Sequence, residues 1–154
     1  MTATNHALTG AIIGLTISNP VIAIIVAFLS HFVLDAIPHF DVDHPKGTDD
    51  HLKTPVFRIY LLFNFVTCVL LVAYLFIFSR GNWVLPSVCA FAAASPDFLS
   101  INHYLTVIRN KKWRPAGFMK FASKIQWFER PSGAIVEIVW FGSCVWILSV
   151  LLAS

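Results

Sequence analysis

The sequence predicts an all-α membrane protein, a polytopic helical bundle, and three observations carry that prediction. Hydrophobic residues make up 57% of the 154-residue chain and charged residues only 12%, whereas an ordinary soluble domain carries about 25% charged residues. The mean hydropathy is +0.73. Two long apolar stretches, 56–79 and 83–108, are each long enough to cross a hydrocarbon core of about 30 Å. The 14% aromatic content, with five Trp, three Tyr and fourteen Phe, suits a surface that meets lipid and headgroups. It excludes disordered, collagen-like and coiled-coil classes. The length fits a single membrane-embedded helical domain over residues 1–154.

The first apolar region, 7–38, is broken at Ser18-Asn19-Pro20, because proline lacks an amide donor and disfavours helix in the residue before it. A short first helix over 6–18 would rise about 20 Å, less than a full span, and would pack against protein. Gly10 and Gly14 form a small-xxx-small pair that predicts close backbone contact with the next helix. The second helix runs over 20–37 and stops at Pro38. A polar loop, 39–54, follows.

The third and fourth helices, 56–79 and 83–108, are joined by Arg80-Gly81-Asn82 and are therefore antiparallel neighbours. Residues 109–130 contain seven basic residues and one acidic, with Phe118, Phe121, Ile125 and Phe128 at helical spacing. That pattern predicts a basic amphipathic helix lying on the membrane surface. A last helix covers 131–153. The architecture expected is thus a short first helix, about four further helices and an interfacial amphipathic helix.

The formal charge of +3 does not point to nucleic acid, because the basic residues adjoin apolar segments and match anionic headgroups instead. Cys68, Cys89 and Cys144 lie singly in apolar stretches and read as small hydrophobes. The first five residues carry no Lys or Arg, and a cleaved signal peptide is not expected. Lys and Arg set topology, so the basic 109–130 segment and the 39–54 loop should both face the cytoplasm.

Ionisable groups in apolar spans are costly, and each needs a reason. They are His31, Asp35, Asp97, His103 and Glu137, with His6 at the first helix start. The topology places all of them toward the cytoplasmic ends of their helices. His31 and Asp35 are four apart on one helix face and can bind one cation. His39 is the next i+4 step, although Pro38 can turn it into the loop. The bland alternative is a hydrogen-bonded pair that only satisfies two buried groups. Asp97 follows Pro96, whose missing donor opens the helix there. Its bland alternative is a counter-ion to a basic side chain. His103 joins the same centre only if the Pro96 kink redirects it.

The loop residues Asp41, Asp43, His44, Asp49, Asp50 and His51 have metal-ligand side chains but no fixed spacing, and most of them read as solvated loop. Arg109, Lys111 and Lys112 would neutralise a substrate phosphate at the metal, or else anchor the chain among anionic lipids. The residues support a bound Zn²⁺ or Mn²⁺, since mixed nitrogen and oxygen ligands favour such ions over Mg²⁺ or Ca²⁺. A water on that ion would be activated, with Glu137 or Asp35 accepting its proton.

His31-x3-Asp35 with its Ile37-Pro38-His39 ending, preceded by His6-x3-Gly10 and followed by a Pro-Asp in a later span, resembles the small bacterial proteins called membrane-bound metal-dependent hydrolases. The resemblance covers the first forty residues and, more loosely, residues 95–103. Through a distant similarity to zinc-dependent phospholipase C and P1 nuclease, it implies phosphoester hydrolysis. It also implies metal ligands at His6, His31, Asp35 and Asp97, and a place in the bacterial inner membrane. The chain departs from those soluble enzymes in having one H-x3-D pair and no N-terminal tryptophan. An amphiphilic, lipid-like phosphoester is the substrate class expected. The competing class is a non-enzyme that conducts or binds protons or metal ions through the same cluster. It would need polar groups near the other face, for which Asn64, Thr67 and Ser143 are weak candidates. Five short segments are few for such a conduit unless copies associate as a homo-oligomer.

Overall fold

The computed structural model describes residues 1–40, 50–111, 117, 120 and 132–153. These are helical, with α1 at Ala3–Thr16, α2 at Pro20–Asp35, α3 at Pro55–Phe78, α4 at Val84–Leu99, α5 at Ile101–Ile108 and α6 at Gly133–Ala153. A short 3₁₀ turn, Asp50–Lys53, precedes α3. The expected amphipathic helix within 109–130 and the loop residues Asp41, Asp43, His44 and Asp49 lie outside the described residues, as does Lys112.

Local chemistry sets the helix starts. Thr2 caps α1 by accepting from the Asn5 amide. Asn19 caps α2, and Thr54 caps α3. Each of these last two is followed by proline in the first turn, where its absent N–H would have no partner anyway. Three helical stretches are long and apolar enough to cross a membrane: Pro55–Phe78, Val84–Ile108 and Gly133–Ala153. Val21, Ile22, Ile25, Leu29 and Val33 of α2 are exposed, as are most large apolar residues of α3 and α6. In a protein whose core is built largely of Ala and Gly, that outward apolar surface is a lipid-facing one.

α1 is the central element and touches α2, α3, α4 and α6. Its glycines serve this role, but their partner is α4 and not the next helix, as the sequence suggested. A Cβ on Gly10 would collide with the Cys89 carbonyl oxygen, and one on Gly14 with the backbone of Pro86. Ala23 and Ala27 of α2 meet the same Cys89 and Ala93 of α4. Small residues thus bring three backbones together where larger ones would hold them apart.

The span expected over 83–108 is broken into α4 and α5. Ser100 marks the joint, with its amide and hydroxyl both donating to the Asp97 carbonyl. Pro96 lies inside α4 and cannot donate to the Ala92 carbonyl; the Ser95 hydroxyl does so instead, at 2.8 Å.

The heights of the helices fix the depth of the site. Leu15 near the end of α1 shares a cavity with Phe78 of α3 and with Leu151 and Leu152 of α6, so these ends are level. Thr4 lies eleven residues back along α1, about 17 Å of rise, and bonds Asn64 and Thr67, which are about as far back along α3. α3 continues to Pro55, about 14 Å beyond Asn64. The start of α1, with His6, therefore sits near the middle of the long helices rather than at their ends, deeper than the sequence placed it.

Candidate metal centre

His6 enters the site from the first turns of α1, and His31 and Asp35 from the last turns of α2. All three are buried, His6 completely. The His6 Nε2 is 3.1 Å from Asp35 Oδ1, and the His31 Nε2 is 3.2 Å from Asp35 Oδ2. The two imidazole rings stack with centroids 3.9 Å apart. One ligand atom from each of the three residues lies within 4.8 Å of the others. The i, i+4 spacing of His31 and Asp35 does what helical periodicity requires, and the helix–helix packing brings His6 onto the same carboxylate.

The protonation of His31 is dictated by its other nitrogen. Nδ1 lies 2.8 Å from the Ala93 carbonyl oxygen, which can only accept, so Nδ1 carries the proton. In a neutral ring, Nε2 then presents a lone pair to the Asp35 carboxylate, an arrangement that is repulsive unless positive charge lies between them. That charge is either a second proton on the ring or a cation held by both groups. A histidine whose second nitrogen is fixed by a carbonyl, leaving Nε2 aimed at a shared point, is the usual form of a metal-ligating imidazole. The spacing agrees with a cation: ligand atoms at about 2.0–2.1 Å from a tetrahedral ion stand about 3.3 Å from one another.

Asp97 stands at the edge of the group. Its Oδ1 is 3.9 Å from His31 Nε2, and its side chain is one-third exposed. Its Oδ2 is buried with no hydrogen-bond partner, as is the Nδ1 of His6. Unpartnered buried polar atoms are uncommon, and two at one cluster mark a place built to engage something further.

The remaining expected site residues go elsewhere. Glu137 is buried, but its carboxylate accepts the Thr2 amide at 3.3 Å and the Phe40 amide at 3.2 Å. It ties the starts of α1 and α6 to the exit of α2, and its oxygens are taken by main-chain donors instead of a reacting proton. His39 turns back on its own strand of chain, its Nδ1 donating to the Ile37 carbonyl at 2.9 Å. Its backbone presses on Gly133, where a Cβ would have no room. Pro38 thus ends the i+4 series at Asp35. His103 lies on α5, beyond the Ser100 joint, and is not in the described group of ligand atoms that His6, His31 and Asp35 form. Arg109 and Lys111 follow the end of α5, which adds about 12 Å of rise beyond the Ser100 joint.

Other participants carried little signal in the sequence. The Met1 amino group donates to Asp35 Oδ1 at 2.7 Å. Asn5 donates to the Glu137 carbonyl at 3.2 Å, and Trp140 donates to Thr9 at 3.0 Å, clamping α1 to α6. Asn64 accepts from the Thr4 amide and hydroxyl, clamping α1 to α3. The Ala93 carbonyl is a backbone atom, and the only pointer to it was Pro96, three residues on.

Comparison with known protein families, with curated proteins and with solved structures finds no match for the chain.

Proposed function

We propose that the chain is a membrane-bound metal-dependent hydrolase acting on a phosphoester in an amphiphilic, lipid-like substrate. The observation that carries this reading is the convergence of His6 Nε2, His31 Nε2 and the Asp35 carboxylate from two helices on one point, with the His31 tautomer set by Ala93. Two imidazoles and a carboxylate suit Zn²⁺ or Mn²⁺. Such an ion, with an open position, supplies a water acidic enough to act as nucleophile near neutral pH.

Asp35 serves as ligand, because both its oxygens already face the imidazoles. The proton acceptor is Asp97, whose Oδ1 lies 3.9 Å from His31 Nε2, whose Oδ2 has no hydrogen-bond partner and whose side chain is one-third exposed, which lets the proton leave. This transfers to Asp97 the role expected of Glu137. Arg109 and Lys111 hold the anionic membrane surface at the far end of α5. The depth of the cluster, among helices with apolar outer faces, favours a substrate that enters from the lipid. The resemblance of the His6, His31-x3-Asp35 and Pro96-Asp97 positions to membrane-bound metal-dependent hydrolases supports the same reading. So does the basic 109–130 segment, which favours a bacterial inner-membrane protein with this end toward the cytoplasm.

The conduit reading is the weaker one. Asn64 and Thr67, the polar residues it would use toward the other face, bond Thr4 beside the cluster. The test is hydrolysis of phospholipid and polyprenyl phosphate substrates by detergent-purified protein supplied with Zn²⁺ or Mn²⁺. Phosphate or phosphoester release by the wild type, lost in Asp97→Asn with metal still bound, supports the proposal. Metal-loaded wild type that releases nothing from any of these substrates overturns it.

A further inference from the structure

At the end of the bundle opposite the cluster lies a cavity of about 300 Å³, lined by Leu15, Phe78, Ser79, Arg80, Asn82 and Leu152. That volume is at the lower end of the range for small-molecule sites and is too small for a whole lipid. Three features of its rim are unusual together. Arg80 adopts a left-handed conformation, with φ 51°, in the tight turn closed by the Asn82 amide on the Ser79 carbonyl. Gly81 tolerates such a φ at no steric cost, but arginine is not a residue that a turn of this kind selects. The Ser79 hydroxyl is buried with no hydrogen-bond partner. The third feature is charge. The sequence has no Asp or Glu in 1–34, 51–96 or 138–154, so every acidic side chain of the described helices is at the other end, with Asp35, Asp97 and Glu137. Among the described residues, no carboxylate side chain of the helices lies at this end to neutralise Arg80.

The surroundings identify the level of this cavity. Trp83, which follows the turn, packs edge-on against Phe76 at 5.3 Å, and tryptophan favours the headgroup boundary of a membrane. Phe76, Ile77 and Phe78 are exposed just below it. A cationic, donor-lined hollow at headgroup level, bordered by lipid-facing aromatics, matches one ligand chemistry.

We propose that this cavity binds the phosphodiester of an anionic phospholipid, with Arg80 as the charge partner, the Ser79 hydroxyl and the Asn82 side-chain amide as hydrogen-bond donors, and the acyl chains running down the α3 surface. A guanidinium fits the phosphate with two parallel hydrogen bonds, which gives a reason to hold arginine in an otherwise unfavoured turn position. The site is independent of the metal cluster, and neither proposal depends on the other.

The experiment is titration of delipidated, full-length protein in neutral detergent with phosphatidylglycerol, read by native mass spectrometry, with phosphatidylcholine and inorganic phosphate as separate arms. Wild type should bind phosphatidylglycerol in preference to both. Arg80→Gln should weaken that binding about five- to tenfold, Ser79→Ala should weaken it by a smaller factor, and Arg58→Gln at the opposite end should leave this tightest site unchanged. Circular dichroism confirms that each variant is folded; if Arg80→Gln is not, Ser79→Ala and Asn82→Ala carry the same test. Equal affinity of wild type and Arg80→Gln for phosphatidylglycerol overturns the proposal, as does equal binding of phosphatidylcholine. Inorganic phosphate binding as tightly as the lipid would show a general anion site and would overturn it too.

Discussion

Replacing Asp35 with asparagine separates the fold from metal binding, because the amide preserves the hydrogen bonds and removes only the charge. In the native cluster Asp35 Oδ1 accepts from the Met1 amino group and lies 3.1 Å from His6 Nε2, and Oδ2 faces His31 Nε2 at 3.2 Å. His31 carries its proton on Nδ1 for the Ala93 carbonyl, so its Nε2 lone pair can accept from the new amide nitrogen. The amide oxygen still accepts from the Met1 amino group. Stability should therefore fall by only about 1–3 kcal/mol, the range for weakening buried hydrogen bonds to a charged group. Asp35→Ala leaves the Met1 amino group and the two imidazoles facing an empty space and should cost about 3–5 kcal/mol. Metal affinity behaves differently, since an amide is a poor ligand for Zn²⁺. Loss of even an outer partner of a metal ligand costs about 10- to 100-fold, and loss of the ligand itself should reach at least about 100-fold, or about 2.8 kcal/mol. The assay is competition between protein and a chelator for Zn²⁺ in detergent, paired with thermal unfolding followed by circular dichroism. An Asp35→Asn variant that binds Zn²⁺ as tightly as wild type refutes the assignment of the carboxylate as ligand.

Further outcomes follow from the same contacts. Gly10→Leu drives a side chain into the Cys89 carbonyl and Ala93; overpacking of this kind costs about 1–3 kcal/mol or more, so the variant should melt lower or elute as aggregate in gel filtration, while unchanged melting would contradict the α1–α4 contact. Glu137→Gln leaves one acceptor oxygen for two main-chain amides and turns an NH2 toward the other, so it should lower stability by about 1–3 kcal/mol with metal affinity within about twofold of wild type; a large loss of metal affinity would restore Glu137 to the reacting group. Asp97→Asn should lower turnover by about 10²–10⁴-fold and leave Zn²⁺ bound, and equal turnover would remove Asp97 as the proton acceptor. His103→Ala should leave metal affinity unchanged, and a tenfold loss would show that α5 reaches the cluster.

The elements that were legible in the sequence are those set by local chemistry. Proline and its caps at Asn19-Pro20 and Thr54-Pro55 fixed two helix starts, and the i, i+4 step from His31 to Asp35 needs only helical periodicity. Positions that depend on how helices pack were not legible. Gly10 and Gly14 announced a close approach but not its partner, which is α4 because α1 lies at the centre of the bundle. The depth of His6 follows from the level at which Thr4 meets Asn64, a contact between residues sixty apart. The role of Glu137 was hidden because main-chain amides at Thr2 and Phe40 leave no mark in composition. His39 obeyed the spacing but not the geometry, since Pro38 ends the helix before it. The Arg80 cavity was equally unannounced: the absence of acids at that end could be counted, but only the fold assembles Leu15, Ser79 and Leu152 around it.

The central claim is that two helices deliver His6, His31 and Asp35 to one cation. Elemental analysis of the detergent-purified protein, beside His6→Ala, His31→Ala and Asp35→Ala, tests it most directly. Wild-type protein should carry about one Zn or Mn per chain, retained through dialysis, and the three variants none, while His103→Ala keeps its metal. Wild-type protein that is metal-free as purified and takes up neither added Zn²⁺ nor Mn²⁺ would contradict it.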